Sequence, residues 1–200
     1  MVEKLFIQLF PNRELTKSQT TQLRIVRHAI DCIAKEGINE VNFSHIAKSA
    51  KVTRPLVQHY FKDLSELHLL AARFVRLKFQ EWVVEQIESA PKGEMALKVY
   101  VDACLRWPTK FVNETHFWGQ FQSLCLINPT FRRLHEEVAA VGQSRISELL
   151  VKAGVPRDRS RALSVGIQAM IMGAIWAIAL DNGTNPKLLR DQILQTLRRS

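Results

Sequence analysis

The sequence predicts an all-α protein of about nine helices, and three observations support that class. Apolar residues recur at three- and four-residue spacing along most of the 200 residues, as they do on the buried side of a helix. No stretch alternates apolar and polar residues for long enough to form a strand of a sheet. Asparagine followed by proline, a pair typical of helix starts, occurs at Asn128-Pro129 and again at Asn185-Pro186.

The chain begins with an extension over residues 1–19. Its apolar residues favour a short amphipathic helix because they recur at helical spacing; they are Leu5, Phe6, Leu9 and Phe10. Charged and polar residues interrupt this stretch before it reaches the length of a secretory signal sequence, so we expect a cytoplasmic protein. The next helix is predicted from about Ser18 or Thr21 to Glu36, and Gly37 is suited to end it.

The stretch from Asn42 to Lys62 carries two short helical patterns separated by a tight turn. Asn42 is placed to cap the first helix, and the hydroxyl of Thr53 is placed to cap the second. Pro55 falls in the first turn of the second helix, where its missing N–H is not needed. Two short helices that cross over a compact turn form a helix-turn-helix, which lays its second helix in the major groove of DNA.

The outward edge of that second helix carries the candidate base contacts. Arg54, in the first turn, can pair with guanine N7 and O6, or with a phosphate instead. Gln58, one turn further on, suits an adenine or a phosphate. The apolar pair Pro55-Leu56 suits the methyl group of a thymine.

Contacts to phosphates are expected around this edge, where they fix the register of the protein without reading sequence. Ser44 and His45 lie at the amide-rich start of the preceding helix, which favours an anion. His59 is either a contact or a solvated side chain, and the arginines of the first helix are either phosphate contacts or solvated charges. The predicted DNA-binding set is Arg24, Arg27, Asn42, Ser44, His45, Thr53, Arg54, Pro55, Leu56, Gln58, His59, Tyr60 and Lys62.

Three segments resemble the TetR family of bacterial transcription regulators. Ile25 to Gly37 resembles the first helix of that family, Ala50-Lys51-Val52-Thr53 its turn, and His59-Tyr60-Phe61-Lys62 the end of its recognition helix. The resemblance implies a homodimer that binds a DNA operator and senses a small molecule among its C-terminal helices. Expected partners are therefore double-stranded DNA, a second copy of the chain and a small-molecule effector.

The chain departs from the pattern of that family at three positions. Lys51 stands where a glycine is usual, Gln58 where a tyrosine is usual, and Leu64 where a phosphate-contacting lysine is usual. Because the turn is tight, Lys51 is expected to adopt a positive φ angle, at a cost on the order of 1 kcal/mol.

A fourth helix is predicted to start with the capping-box pattern Asp63-Leu64-Ser65-Glu66 and to continue to about Ser89. We place a boundary near residue 70, between a helix-turn-helix domain over residues 20–70 and a helical effector-binding and dimerisation domain over residues 71–200. Pro108 is expected to kink or separate the next two helices. The remaining helices are predicted at about 94–107, 109–126, 129–153, 157–181 and 186–198.

Charge and cysteine content limit the class of function. Residues 1–62 hold ten Lys and Arg against five Asp and Glu, so +5 of the overall net charge of +9 lies near the helix-turn-helix, as expected of a DNA-binding protein. The three cysteines are far apart in apolar surroundings and predict buried thiols, without a metal site or a disulfide framework; they are Cys32, Cys104 and Cys125. No catalytic or cofactor motif occurs, so we expect no enzyme activity and no cofactor.

The segment from Leu163 to Leu180 carries no charged residue. A helix that is apolar all round is buried on every side or lies in a membrane. Polar residues and glycines interrupt this segment and no second one like it exists, so we expect burial against a partner chain and no membrane contact. The predicted dimer interface consists of Gly166, Met170, Gly173, Trp176, Leu189 and Ile193.

Aromatic residues concentrate in the middle of the second domain. They are typical either of a filled hydrophobic core or of an apolar effector cavity with a few polar groups, among them Gln120. The predicted effector-binding set is Trp107, Phe111, Asn113, His116, Phe117, Trp118, Phe121 and Gln122. The sequence thus favours a homodimeric repressor that binds a palindromic operator and is released by a lipophilic or aromatic effector. The alternative is a ligand-independent, nucleoid-type DNA-binding protein with a filled core.

Overall fold

The computed structural model describes residues 15–91, 95–181 and 183–199 of the chain. All regular secondary structure in those residues is α-helical, which confirms the predicted class. The described residues form nine helices: α1 Lys17–Glu36, α2 Phe43–Ala50, α3 Arg54–Tyr60, α4 Leu64–Glu88, α5 Ala96–Lys110, α6 Val112–Cys125, α7 Pro129–Lys152, α8 Arg157–Leu180 and α9 Pro186–Arg199. The amphipathic helix predicted from Leu5 to Phe10 lies outside the described residues.

Asparagine side chains cap three of these helices, as the sequence predicts. The Oδ1 atom of Asn42 accepts from the backbone N–H of Ser44 at 2.9 Å and from that of the next residue at 3.2 Å. The Oδ1 atom of Asn128 accepts from Thr130 N–H at 2.9 Å, and that of Asn185 from the second residue of α9 at 3.0 Å. Each bond satisfies an amide that the first helical turn leaves without a partner.

Thr53 has the extended backbone of an N-cap, but its side chain makes no capping hydrogen bond, so the predicted hydroxyl cap is wrong. A capping hydroxyl accepts from the N–H of the second or third helical residue. Pro55 is the second residue and has no N–H. The N–H of Leu56, the third, donates to the carbonyl oxygen of Thr53 at 3.1 Å.

Two other helix ends differ in part from the predictions. α5 runs through Pro108 to Lys110 instead of ending before the proline. Because Pro108 lies in the last turns of α5, it removes one hydrogen bond, and the helix then closes with Phe111 N–H donating to the carbonyl of Trp107 at 2.8 Å. At the start of α4, half of the predicted capping box is present, because Asp63 Oδ1 accepts from the N–H of Glu66 at 2.9 Å. The Glu66 carboxylate accepts from the N–H of Lys62 at 2.8 Å, one residue before the position that a capping box uses.

By its internal contacts the chain divides into two compact units. The first holds the described residues up to Phe79 together with Asn113–His135, and the second holds Gln80–Val112 and the described residues from Glu136 onward. The change at Phe79 and Gln80 falls within α4. The domain boundary near residue 70 stays a prediction.

Each unit has a core of its own. In the first unit the fully buried side chains come from α1 to α4, from α6 and from the residue directly after α3; among them are Ile25, Ile46, Phe61, Leu67, Phe117 and Phe121. In the second unit α5 packs against α8 and α9, with a core that includes Leu97, Leu105, Ile146 and Ile167. Burying a side chain of this size stabilises the fold by about 1.5–3 kcal/mol.

Candidate nucleic-acid interface

The turn between α2 and α3 holds the helix-turn-helix together. Lys51 adopts the left-handed conformation with φ 54° and ψ 47°, which confirms the predicted positive φ at a non-glycine residue. Its N–H donates to the carbonyl of Lys48 at 3.3 Å, and the N–H of Val52 donates to that of Ala47 at 3.0 Å. These two bonds form a Schellman motif, which ends α2 and turns the chain into α3.

The inner side of α3 anchors it. Val57 is completely buried, and Phe61, directly after the helix, is 1 % exposed. The opposite edge carries polar side chains and faces outward, with Arg54, Gln58 and His59 exposed. This short helix therefore presents a polar edge to solvent on an apolar base, as the sequence predicts. The other predicted members divide into exposed residues, Thr53, Pro55 and Lys62, and half-buried ones, Leu56 and Tyr60.

Tyr60 is held by a contact that the sequence does not reveal. The hydroxyl of Ser18, in the first turn of α1, donates to the Tyr60 hydroxyl at 3.2 Å. The ring of His59 meets that of Tyr60 edge-on with centroids 5.4 Å apart. The pairing with Ser18 joins residues 42 apart in the chain, so no local pattern could have predicted it.

The first turn of α2 differs from the expected anion site. Asn42 already accepts the N–H groups of Ser44 and His45, so these amides are not free for a phosphate. Their side chains are exposed, and His45 Nδ1 lies 3.7 Å from a carboxylate oxygen of Glu36. On α1, Arg24 and Arg27 are exposed as well.

The predicted effector-binding residues fall into different units. Trp107 and Phe111 belong to the second unit, where their ring centroids are 4.2 Å apart and Phe111 meets Trp82 edge-on at 5.6 Å. Phe117, Trp118 and Phe121 belong to the first. Among the remaining predicted residues, His116 is exposed and Gln122 is half-buried.

Two polar residues expected near an effector instead bind α1. The side-chain amide of Asn113 donates to Asp31 Oδ1 at 2.7 Å. The amide of Gln120 donates to the carbonyl of Ile33 at 2.8 Å, and its oxygen accepts from Ile38 N–H at 2.6 Å. These atoms hold α6 against α1 within the first unit, because the partners lie on the last turns of α1 and in the loop after it.

Helix α8 is buried on one side only. Ile167, Ile171 and Ile178 are at most 5 % exposed on that side. The other side is apolar and open: Val165 is 54 % and Leu180 85 % exposed. By length and composition α8 could cross a membrane, a criterion that core helices of soluble proteins also meet.

The predicted dimer residues, on α8 and α9, differ in their exposure. Gly166 and Gly173 have open space where a side chain would stand, and Met170, Trp176 and Leu189 are half-buried. Ile193 is only 4 % exposed, so its surface is already covered within the chain itself. We therefore leave Ile193 out of the candidate interface.

The second unit also has a cleft of about 380 Å³ that the sequence did not suggest. Its polar wall is formed by Arg106, whose guanidinium donates to Gln86 Oε1 at 2.7 Å, and by Asp102, which lies 3.3 Å from the guanidinium of Arg190. The complete lining is Gln86, Ser89, Ala90, Pro91, Val99, Asp102 and Arg106. Side chains from α4, α5 and the loop between them meet there, which sequence spacing alone does not indicate.

The three cysteines are free, buried thiols, as predicted. Burial raises the pKa of the Cys104 thiol to about 12. A thiol of this kind stays protonated and unreactive at neutral pH. The described residues contain no cluster of His, Cys, Asp and Glu that could hold a metal ion.

Comparisons with known proteins agree with this geometry. Residues 25–69, which span the helix-turn-helix, match the model of the bacterial regulatory proteins of the tetR family. The HTH-type transcriptional regulator BetI of Escherichia coli O45:K1 is 22 % identical over 184 residues, which cover 87 % of this chain and 92 % of that protein.

Two solved structures share the fold. A TetR-like transcriptional regulator from Rhodococcus sp. RHA1 matches with a TM-score of 0.71 at 13 % identity, over 94 % of this chain and 100 % of that one. A protein of Saccharomonospora viridis, described as a transcriptional regulator and crystallised in complex with choline, matches with a TM-score of 0.76 at 21 % identity, over 90 % and 96 %. Residues 25–69 therefore form a domain of the tetR family of bacterial regulatory proteins, and most of the chain is similar to transcriptional regulators of comparable length.

Proposed function

We propose that the protein is a homodimeric repressor that binds a palindromic operator and leaves it when a small molecule binds. The observation that supports this most is the exposed polar edge of α3 above the buried Val57 and Phe61. Because those anchors fix the helix, its edge is presented to a major groove without prior rearrangement.

Base reading rests on the start of α3. Arg54 in its first turn pairs with guanine N7 and O6, and such a pair discriminates by roughly 1–3 kcal/mol. Gln58 follows one turn later on the same exposed edge. The Thr53 hydroxyl, which caps no amide, adds a phosphate contact beside them.

Phosphate contacts around α3 position the helix. Lys62 supplies an exposed charge, and the hydroxyl of Tyr60, oriented by Ser18, supplies a hydrogen bond. Arg24 and Arg27 extend this basic surface along α1. These contacts weaken as salt rises because binding releases counterions from DNA.

The open side of α8 supports the dimer. Two copies packed through Gly166 and Gly173 bring their backbones close, and Met170, Trp176 and Leu189 fill the space around them. A stable interface of this kind buries about 1,200–2,000 Å² in total. The resulting pair of α3 helices binds two half-sites about 34 Å apart.

The effector is proposed to bind against the aromatic side chains of the first unit. Trp118 lies 5.5 Å from Phe121 and 6.5 Å from His135, measured between ring centroids. The Nδ1 atom of His135 is buried without a hydrogen-bond partner in the described part of the chain. An apolar wall beside one such polar atom suits a lipophilic or aromatic molecule with a single hydrogen-bonding group.

One observation favours the alternative, a DNA-binding protein without an effector. Phe117 and Phe121 are completely buried and their rings stack at 6.1 Å, as in a filled core. Thermal denaturation with a panel of lipophilic amines and aromatic acids separates the two functions. An effector raises the midpoint with concentration and weakens operator binding, whereas a filled core shows neither change.

Selection of duplexes from a random library tests the DNA-binding proposal. The selected sites should be palindromic with half-sites one helical turn apart, and wild-type protein should bind them at least about 10³-fold more tightly than random DNA at physiological salt. Similar affinities for selected and random duplexes would instead indicate a nucleoid-type binder.

A further inference from the structure

Helix α6 lies between two different partners in the first unit. One side carries Asn113 and Gln120, seven residues and about two helical turns apart, and both bind the end of α1. The other side carries Trp118 and Phe121, and the Phe121 ring packs on Phe131 of α7 at 5.3 Å. α6 therefore connects an aromatic cluster to the helix on which the helix-turn-helix packs.

Gln120 occupies a particular place in this connection. The carbonyl of Ile33 in the last turn of α1 accepts from the Gln120 amide, and it also accepts from Gly37 N–H at 3.0 Å. The oxygen of the same side chain accepts from Ile38 N–H, one residue after the glycine that ends α1. One amide thus binds both sides of the turn that leads from α1 to α2.

The first turn of α6 is held separately. Asn113 binds Asp31 on α1, and Glu114 forms an ion pair with Lys78 of α4. These contacts hold the start of α6 in place. A push on its aromatic side therefore moves α6 most in its later part, near Gln120. That displacement moves the turn after α1, because both amide atoms of Gln120 are bonded to it.

We infer that Gln120 is a positioning residue for the helix-turn-helix: it transmits the position of α6 to the turn that places α2 and α3. The inference rests on the proposed function, in that α3 binds DNA and an effector displaces α6 through Trp118 and Phe121. This role of Gln120 is distinct from lining an effector site. Because coupling between two sites is reciprocal, operator binding should in turn change the position of α6.

The test without DNA is a double-mutant cycle read by amide hydrogen exchange in the segment 37–45. Phe131→Leu disturbs the aromatic cluster, and it should speed exchange in that segment about fivefold or more in the wild type. In the Gln120→Leu background the same change should have little further effect. Additive effects of the two substitutions would overturn the inference, since additivity means that Gln120 transmits nothing.

The test with DNA uses protein labelled with 5-fluorotryptophan, whose Trp118 signal is assigned by Trp118→Phe. The selected operator should shift this ¹⁹F signal in the wild type and in Gln143→Leu, a matched change at a half-buried glutamine of α7 in the second unit. In Gln120→Leu the operator should still bind at high protein concentration while the shift is lost. An unchanged shift in that variant, or none in the wild type, would contradict the role of Gln120.

Failure of the proposed function and failure of the role of Gln120 can be told apart. If no duplex is selected at all, the proposed function fails, while the exchange cycle still decides whether Gln120 couples α6 to the turn. If Gln120→Leu does not fold, Gln120→Glu takes its place. The carboxylate keeps an acceptor for Ile38 N–H and loses the donor to Ile33, so it should retain part of the coupling; full coupling in this variant would contradict the role of the amide donor.

Discussion

Lys51 shows how one residue can be predicted from its place in a motif. Its left-handed backbone was expected because the turn is tight, although lysine is not the residue that such a conformation favours. Replacement by glycine removes the contact between Cβ and backbone that makes this conformation costly. The strain is local, since the hydrogen bonds of the turn come from the backbone alone.

Lys51→Gly should therefore raise the free energy of unfolding by about 0.5–1 kcal/mol. Lys48→Gly, three residues earlier in α2, should lower it by about 1 kcal/mol, because there the glycine only adds conformational freedom to the unfolded chain. Urea denaturation of both variants checks the opposite signs. A loss of stability in both would show that the left-handed conformation of Lys51 costs nothing.

His68 is a residue whose role could not be read from the sequence. It is 5 % exposed in α4, and its Nε2 atom is buried without a hydrogen-bond partner in the part of the chain that the structure describes. Burial lowers the pKa of His68 from 6.5 to about 4, against a smaller raising effect of the Asp63 carboxylate. The folded protein therefore holds His68 neutral at a pH where the unfolded chain already binds a proton.

Neutral His68 makes a contribution to the free energy of unfolding that is fully present above pH 6.5. This contribution is lost as the pH falls toward about 4. The slope is at most about 1.4 kcal/mol per pH unit. When denaturation is measured across that pH range, the free energy of unfolding should depend less on pH in His68→Leu than in the wild type. Leu69→Ala, which removes no titrating group, should keep the wild-type slope; a parallel slope in His68→Leu would rule out the buried neutral imidazole.

At the scale of helices, the starts were predictable where one side chain decides them. Asn42, Asn128 and Asn185 cap their helices because an asparagine oxygen reaches the next amides without competition. The cap at Thr53 was wrong because Pro55 removes one donor and the backbone takes the other. The extension of α5 through Pro108 likewise depends on tertiary packing, since Pro108 is buried.

This difference predicts unequal costs for two similar truncations. Asn42→Ala should lower the free energy of unfolding by about 1 kcal/mol, because two amides of α2 lose their acceptor. Thr53→Ala should cost only a few tenths of that value, since no capping bond is lost. Thermal and urea denaturation compare the two; a cost for Thr53→Ala equal to that for Asn42→Ala would restore the hydroxyl cap.

At the scale of the molecule, the sequence predicted the helical class, the number of described helices and the exposed edge of α3. It could not predict contacts between residues far apart in the chain, such as Ser18 with Tyr60 or Gln120 with Ile38. Nor could composition tell which aromatic residues share a unit. The burial of α8 along one side, by contrast, agrees with its sequence. A segment without charged residues was expected to pack on its own chain with one side and on a second chain with the other.

Ala169→Arg tests that partner. Ala169 is exposed on the open side of α8, so an arginine there places a charge in the proposed dimer interface. Light scattering should find a monomer, with operator affinity reduced by at least about tenfold because only one half-site is bound. Ala140→Arg, at an exposed position on α7, should remain dimeric. A dimeric Ala169→Arg protein would place the interface elsewhere.

The reading of DNA by the exposed edge of α3 is tested most directly by comparing sites selected by wild-type protein, Arg54→Ala and Lys62→Ala. Arg54→Ala should lose its preference for a guanine in each half-site, by roughly 1–3 kcal/mol, while Lys62→Ala should select the same sites and bind all sequences more weakly, with a salt slope lower by about 1. If Arg54→Ala selects the same sites with undiminished preference, the first turn of α3 does not read bases.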